Sequence, residues 1–305
     1  MSKVVNRALS AALMVASVAS AGAAQQQSFD TVQVRAEKVT ERLYVLFGAG
    51  GNIALSIGAD GAFIVDDQFA PLSEKITRAI AGLTDRPLRF VVNTHWHGDH
   101  SGGNANFGRA GAVIIAQDNV RKRMGTEQVR GNNRTPPSPR EALPVITFTQ
   151  GLSLHVNGDS VVAIYVPNAH TDGDALIHYV GSNAIHMGDT FFAGRFPYID
   201  LNSGGTVDGI VESADRALSI AGDDTRIIPG HGPISTKRDL AQFRQVVAQV
   251  RDRVKALVAQ GKSLTEVAAS KPLEGIADSW GSGFINGDAF IDIVYTDLKA
   301  RNGRR

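Results

Sequence analysis

Short apolar runs broken by glycine-rich turns dominate the first part of the chain. Positions 43–47, 53–57 and 62–65 are apolar or alternating, and Gly48-Ala49-Gly50-Gly51 and Gly58-Ala59-Asp60-Gly61 punctuate them. That pattern predicts hairpin-linked strands. Residues 25–41 before them are polar and predict an irregular entry. Leu72, Ile76, Ile80 and Leu83 recur at helical spacing, which predicts a helix over 72–83 with Ser73 as its cap. The apolar run 88–92 predicts a buried strand that leads straight into a histidine-rich segment.

The outline then repeats. A strand is predicted at 113–116 and a short helix at 119–124. The proline-rich, polar stretch 130–144 reads as a loop at the rim of a site. Strands follow at 146–148, 152–156, 161–166, 175–180 and 184–187, then a helix over 207–221 and a strand at 226–228. A long amphipathic helix is predicted over 237–260, with Leu240, Phe243, Val247, Val250, Val254 and Leu257 on one side. Trp280, Phe284, Phe290 and Tyr295 mark a last element that docks on the rest. Strands with helices in each half predict an α/β fold in which two sheets face each other and helices lie outside. No linker or repeat divides the chain, so one domain is expected from 31 to 305.

The first residues change this picture. Lys3 and Arg7 precede an uncharged stretch rich in Ala, Val and Leu, and Ala21-Gly22-Ala23-Ala24 offers small-residue cleavage sites. Residues 1–24 therefore read as a signal peptide, which places the mature protein in the periplasm or outside the cell. After cleavage no membrane span remains. The formal charge is +1, and no basic stripe interleaved with aromatics argues for nucleic-acid binding, so the expected partner is a small-molecule substrate. Cysteine is absent, so any metal must be held by imidazole and carboxylate.

The chemistry concentrates in His95-Trp96-His97-Gly98-Asp99-His100. In extended backbone, residues two apart share a face, so His95 and His97 can converge on one ion. Gly98 permits a tight turn, which aims Asp99 and His100 at a second ion. More ligands are needed, and His170, Asp189 and His231 each follow a predicted strand in a Gly/Pro-flanked loop, where functional groups accumulate.

The order and spacing of these motifs resemble the metallo-β-lactamase superfamily. They run through Ile64-Val65-Asp66, Asn93-Thr94-His95-Trp96-His97-Gly98-Asp99-His100, the His170 loop, Gly188-Asp189-Thr190 and Gly230-His231-Gly232. The resemblance implies a four-layer αββα sandwich with two zinc ions at one edge of the sheets. It implies that His95, His97 and His170 hold the first zinc, that Asp99, His100 and His231 hold the second, and that Asp189 bridges them. Asp66 is expected to orient the metal loop without binding metal, with Thr94, Ser101 and Asp67 as weaker candidates of that kind. Of the eight histidines, the remaining three, His155, His178 and His186, fall in predicted strands and read as structural; His186 also lies near Asp189. Two zinc ions lower the pKa of bound water from ~16 to ~7 and polarise a carbonyl, which implies hydrolysis with Asp99 as the carboxylate that moves the proton.

The substrate is open at this level. Secreted β-lactamases with a cysteine at the bridging position also carry a lysine three residues on. This chain has Asp189 and Phe192 at the two places, with Arg195 as a candidate contact for a substrate carboxylate. Asp189 is similar to what glyoxalase II and lactonases carry, whereas export favours a β-lactamase-like activity on lactam amides. The alternatives are a lactonase, a thioesterase or a sulfur-compound hydrolase. From other classes come a mononuclear-iron oxygenase of the persulfide dioxygenase type and a non-catalytic zinc-binding module. The stretch 200–205, just beyond the metal loops, reads as a simple turn, with shaping of the pocket as the alternative.

Overall fold

The computed structural model describes residues 28–130, 133–276 and 278–302. The chain clusters into two units, Met1–Thr31 and Val32–Arg305. In the first, only 28–31 are described, with a turn at Asp30 and Thr31. The expected signal peptide lies outside the described residues.

The second unit opens with β1 (Arg35–Lys38), β2 (Leu43–Phe47), β3 (Ile53–Gly58) and β4 (Gly61–Val65), then α1 (Ser73–Ala81) and β5 (Leu88–Val92). Two short helices, α2 (Gly98–Ser101) and α3 (Asn104–Arg109), precede β6 (Val113–Gln117) and α4 (Asp118–Met124). The hairpin β7 (Gln128–Arg130) and β8 (Asn133–Thr135) and strand β9 (Ile146–Phe148) complete the first half. The second half holds β10 (Gly151–Val156), β11 (Asp159–Tyr165), β12 (Ala175–Tyr179) and β13 (Ala184–His186), followed by α5 (Val207–Ile220), β14 (Arg226–Ile228) and β15 (Ser235–Thr236). Three helices finish the chain: α6 (Lys237–Ala259), α7 (Leu264–Ala269) and α8 (Gly287–Asn302).

One sheet orders its strands β1-β2-β3-β4-β5-β6-β9 and the other β10-β11-β12-β13-β14-β15. The pairs β4–β5, β5–β6, β6–β9 and β13–β14 are parallel. Strand β4 is buried along its whole length, the mark of a strand covered on both faces. One face contributes Val45, Phe63, Val65, Val92 and Ile115 to a core shared with Val161, Ala163, Ile177 and Tyr179 of the second sheet. Alternate residues of the first sheet, such as Leu55, Ile64, Val91 and Ile114, are buried on its other face, as are Ile76 and Ile80 of α1 and Phe107 of α3. The outer face of the second sheet packs Leu176, Ile185 and Ile227 against α5, α6 and α8 through Ile210, Phe243, Val250 and Phe290. These are the four αββα layers expected from the sequence.

Four local readings are corrected. Within 25–41 the chain forms β1, an exposed edge strand that pairs with β2. Its polar composition reflects solvent on both faces, not irregular backbone. Ser73 does not cap α1; a 3-10 turn at Ala70–Leu72 leads in, and the Ser73 hydroxyl donates back to the Ala70 carbonyl at 2.9 Å. The stretch 130–144 carries β8 and a 3-10 turn at Arg140–Ala142, with Ala142 buried beside α3. Its carbonyl accepts from Asn104 Nδ2 at 3.0 Å. Within 280–295, Trp280, Phe290 and Tyr295 are buried as expected, but Phe284 is 88% exposed.

Candidate metal centre

The histidines and aspartates leave the strand ends on short loops. His95 and His97 follow β5, and Asp99 and His100 lie on α2. His170 sits in the turn after β11, Asp189 in a 3-10 turn after β13, and His231 just beyond β14. Loops at the carboxyl ends of parallel strands are where such folds collect ligand-binding groups. Two glycines make room: a side chain at Gly51 would occupy the His100 ring, and one at Gly230 would occupy Asp189 Oδ1.

All seven predicted residues come together in two groups: His95, His97, His170 and Asp189, and Asp99, His100, Asp189 and His231. Within each group the facing atoms lie within 4.8 Å of one another. Asp189 belongs to both and divides its oxygens between them. Oδ2 lies 3.9 Å from His95 Nε2 and 3.6 Å from His170 Nε2. Oδ1 lies 3.0 Å from His100 Nε2 and 3.3 Å from His231 Nε2. Asp99 Oδ2 closes the second group at 3.3 Å from His231 Nε2 and 3.7 Å from His100 Nε2.

Outer partners fix where four of the rings carry their protons. His100 Nδ1–H donates to Asp66 Oδ2 at 2.7 Å. Asp66 also accepts from the Thr94 N–H and hydroxyl, each at 2.8 Å. With its proton committed to Asp66, the Thr94 hydroxyl accepts from His95 Nδ1–H at 3.0 Å. His170 Nδ1–H donates to the Tyr198 carbonyl at 2.8 Å, and His97 Nε2–H to Asp200 Oδ2 at 3.0 Å. The opposite nitrogens therefore present lone pairs to the centre. His97 Nδ1 and His170 Nε2 face each other at 2.8 Å, and His95 Nε2 is buried without a hydrogen-bond partner. Converging lone pairs repel, and a cation among them turns that repulsion into attraction. With only nitrogen and oxygen donors, the arrangement fits a bound metal of the zinc type.

The electrostatics separate the two groups: burial opposes protonation of His100, but the Asp189, Asp99 and Asp66 carboxylates raise its imidazole well above the ordinary pKa. Burial drives the His95 imidazole well below its ordinary pKa and that of His170 to about 4, so both are neutral donors. Burial would raise the Asp189 and Asp99 carboxyls, but the neighbouring imidazoles outweigh it and hold both below the usual carboxylate range. Burial also opposes protonation of His231, yet the Asp189 and Asp99 carboxylates lift it to about 9. Asp99 and His231 are 28% and 27% exposed at the side chain, whereas His95, His100 and His170 are fully buried. Access to the centre is therefore over Asp99 and His231.

Several supporting residues were not singled out from the sequence. Asp200, read as part of a turn, is fully buried and carries both the His97 contact and the bond from Ser203 Oγ at 2.6 Å. Asp174 accepts from the His170 and Thr171 N–H groups and the Thr171 hydroxyl, and burial pushes its carboxyl up to about 8. Arg123 grips Asp172 through two bonds of 2.6 and 2.7 Å, tying α4 to the His170 loop. His186 accepts from the Gly188 N–H at 3.1 Å and donates to the Asn52 carbonyl at 3.0 Å, so it braces the Asp189 loop. His155 is exposed and meets only Ser160 Oγ, and His178 is half-buried. Ser101 Oγ donates to the Trp96 and His97 carbonyls, and Asp67 Oδ1 accepts from the Gly103 N–H at 2.8 Å. Arg195 is exposed in the loop between Phe192, which stacks on His231, and Tyr198.

A two-sheet sandwich with a paired His/Asp centre on the loops at its strand ends defines the class. The chain belongs to the metallo-beta-lactamase superfamily, whose model matches residues 51–231. Among solved structures it resembles the DIM-1 metallo-beta-lactamase, with a TM-score of 0.59, 21% identity, and coverage of 71% of this chain and 98% of that one. A metallo-beta-lactamase from Pontibacter korlensis gives a TM-score of 0.60 at 14% identity, over 71% and 99%. Among curated proteins, a hydroxyacylglutathione hydrolase of Erythrobacter litoralis (strain HTCC2594) is 30% identical over 107 residues. That match spans 35% of each chain. Among the described residues, no helix is long and apolar enough to cross a membrane.

Proposed function

We propose that the protein is an exported two-zinc hydrolase that opens the amide bond of β-lactams. His95, His97 and His170 would hold one ion and Asp99, His100 and His231 the other, with Asp189 common to both groups. The observation that carries the two-metal reading is the division of the Asp189 oxygens between two complete donor groups. A single-iron oxygenase needs only one group. Bound there, the ions supply Lewis acidity and an activated water at neutral pH.

The chain's own residues do the rest. Asp99, half-open to solvent beside His231, holds the attacking water and carries its proton. The water oxygen bonds to the acyl carbon, the carbon–nitrogen bond breaks, and the proton passes to the departing nitrogen. Asp66, Asp200 and the Tyr198 carbonyl keep the imidazoles in the required tautomers. Arg195, exposed on the loop beside His231, is the candidate partner for a substrate carboxylate. The leader read at residues 1–24 supports a periplasmic location, and a small-molecule substrate is the expected partner.

Thioester or lactone hydrolysis is the second reading. It is favoured by aspartate at the bridging position and by the partial match to a hydroxyacylglutathione hydrolase. One experiment separates the two. The purified zinc-loaded protein is assayed on a penicillin, a carbapenem, nitrocefin, an acyl-homoserine lactone and a glutathione thioester, with metal content measured alongside. Hydrolysis confined to the lactone or thioester would replace the lactam reading. One iron per chain with oxygen consumption would remove the hydrolase reading altogether.

A further inference from the structure

Phe284 is the most exposed large apolar side chain among the described residues, at 88%. Singly exposed hydrophobic residues are ordinary on protein surfaces. This one differs in what holds it and what it touches. Its segment is pinned on both sides: Trp280 and Ile285 are buried, and the Trp280 carbonyl accepts from the Phe196 N–H at 2.9 Å. Phe196 stacks on Phe290 of α8 at 4.6 Å. The backbone thus presents the Phe284 ring to solvent from an anchored base. The ring meets Tyr198 edge-on at 6.2 Å. Tyr198 in turn lies 5.8 Å from the His170 ring and 6.3 Å from the His97 ring. An aromatic path therefore runs from the donor group to a solvent-facing ring. Gly283, next to Phe284, packs on the aliphatic stem of Arg195, so a cation stands beside the same shelf.

We propose that Phe284 and Tyr198 form a recognition shelf for an aromatic or other ring-bearing group of the substrate, next to His97 and His170. Phe284 comes from the C-terminal part of the chain, outside the matched span 51–231, whereas Tyr198 lies within it. The proposal deepens the hydrolase reading by naming a substrate class: an acyl compound that carries an apolar ring together with an anionic group. A ring laid against Phe284 removes apolar surface from water on both partners, which is worth about a tenfold gain in affinity.

The test does not depend on turnover. Equilibrium titration of the zinc-loaded protein with benzylsuccinate and with methylsuccinate isolates the ring, because the two dicarboxylates differ only there. The wild type should bind the benzyl compound ~10-fold more tightly or better. In Phe284→Ala, at unchanged metal content, the ratio should fall to within ~2-fold, and Phe284→Trp should keep it. A wild type without ring preference, or a preference that survives Phe284→Ala, overturns the shelf. Failure of the hydrolase reading shows separately, as absence of turnover across the substrate panel.

Discussion

His186 donates its Nε2–H to the carbonyl of Asn52 at 3.0 Å, across 134 positions of sequence. The bond joins the two halves of the centre. Asn52 gives its own N–H to the Gly230 carbonyl and its side-chain amide to the carbonyls of Pro229 and Gly232, the residues that flank His231. The other nitrogen of His186 receives the Gly188 N–H, next to Asp189. One imidazole thus sets the spacing between the bridging carboxylate and the last histidine of the second group.

Replacing His186 by Ala should therefore weaken the second ion selectively. Supporting contacts of this kind are worth about 10–100-fold in metal affinity. Competition with a chelator of known affinity would show one ion lost early and one retained. Simultaneous release of both ions, in step with unfolding, would contradict the assignment.

Asp189→Ala removes the one carboxylate common to both groups. Metal content should fall below two per chain, and turnover on any substrate hydrolysed by the wild type should drop by at least about 100-fold. Mass spectrometry under non-denaturing conditions gives the stoichiometry directly. Two tightly held ions and full turnover in this variant would falsify the site.

Asp66→Asn tests the tautomer argument. An amide nitrogen accepts no hydrogen bond: in the place of Oδ2 it loses both the Thr94 hydroxyl and His100 Nδ1–H, and in the place of Oδ1 it opposes the Thr94 N–H. Metal affinity should fall about 10–100-fold while the sheets stay intact, since Asp66 lies at a strand end. Far-ultraviolet circular dichroism and a zinc titration together separate the two effects.

Acid stability should depend on Asp208, away from the centre. Burial alone would raise its carboxyl, but the hydrogen bond and charge of Arg301, with Arg251 and Lys255, hold it below the usual carboxylate range. A lowered folded-state pKa stabilises the fold above the unfolded-state value and loses that contribution as pH falls. Urea midpoints measured between pH 7 and pH 3 should fall less steeply on acidification in Asp208→Asn than in the wild type. Equal slopes would mean that the Arg301–Asp208–Arg251 cluster does not couple to folding.

The strands and long helices were legible because their burial periods are clean, as in β4 and the Leu240-to-Leu257 stripe of α6. The seven cation-facing residues were legible because they are concentrated in short motifs after strands. The shell behind them was not. Asp200 looked like a turn residue because Asp-x-x-Ser-Gly is also turn chemistry: it does accept from Ser203 as a turn aspartate would. Only the fold shows that Oδ2, the oxygen that takes the Ser203 hydroxyl, also reaches His97. Strand β1 was missed because an edge strand exposed along its length carries no alternation. Asn157-Gly158 forms the turn between β10 and β11, and both residues adopt positive φ, 53° and 73°.

The division of the centre between two sheets has a consequence for biogenesis. His95 to His100 leave the ribosome early, but the first donor group is incomplete until Asp189 emerges, and the second until His231, which lies 131 positions after its facing partner His100. Nascent chains stopped short of Asp189 own the three imidazoles of the first group and His100 of the second, but not the carboxylate common to both. Completion of both donor groups is therefore a late event: it requires that the two halves of the chain are both synthesised and docked.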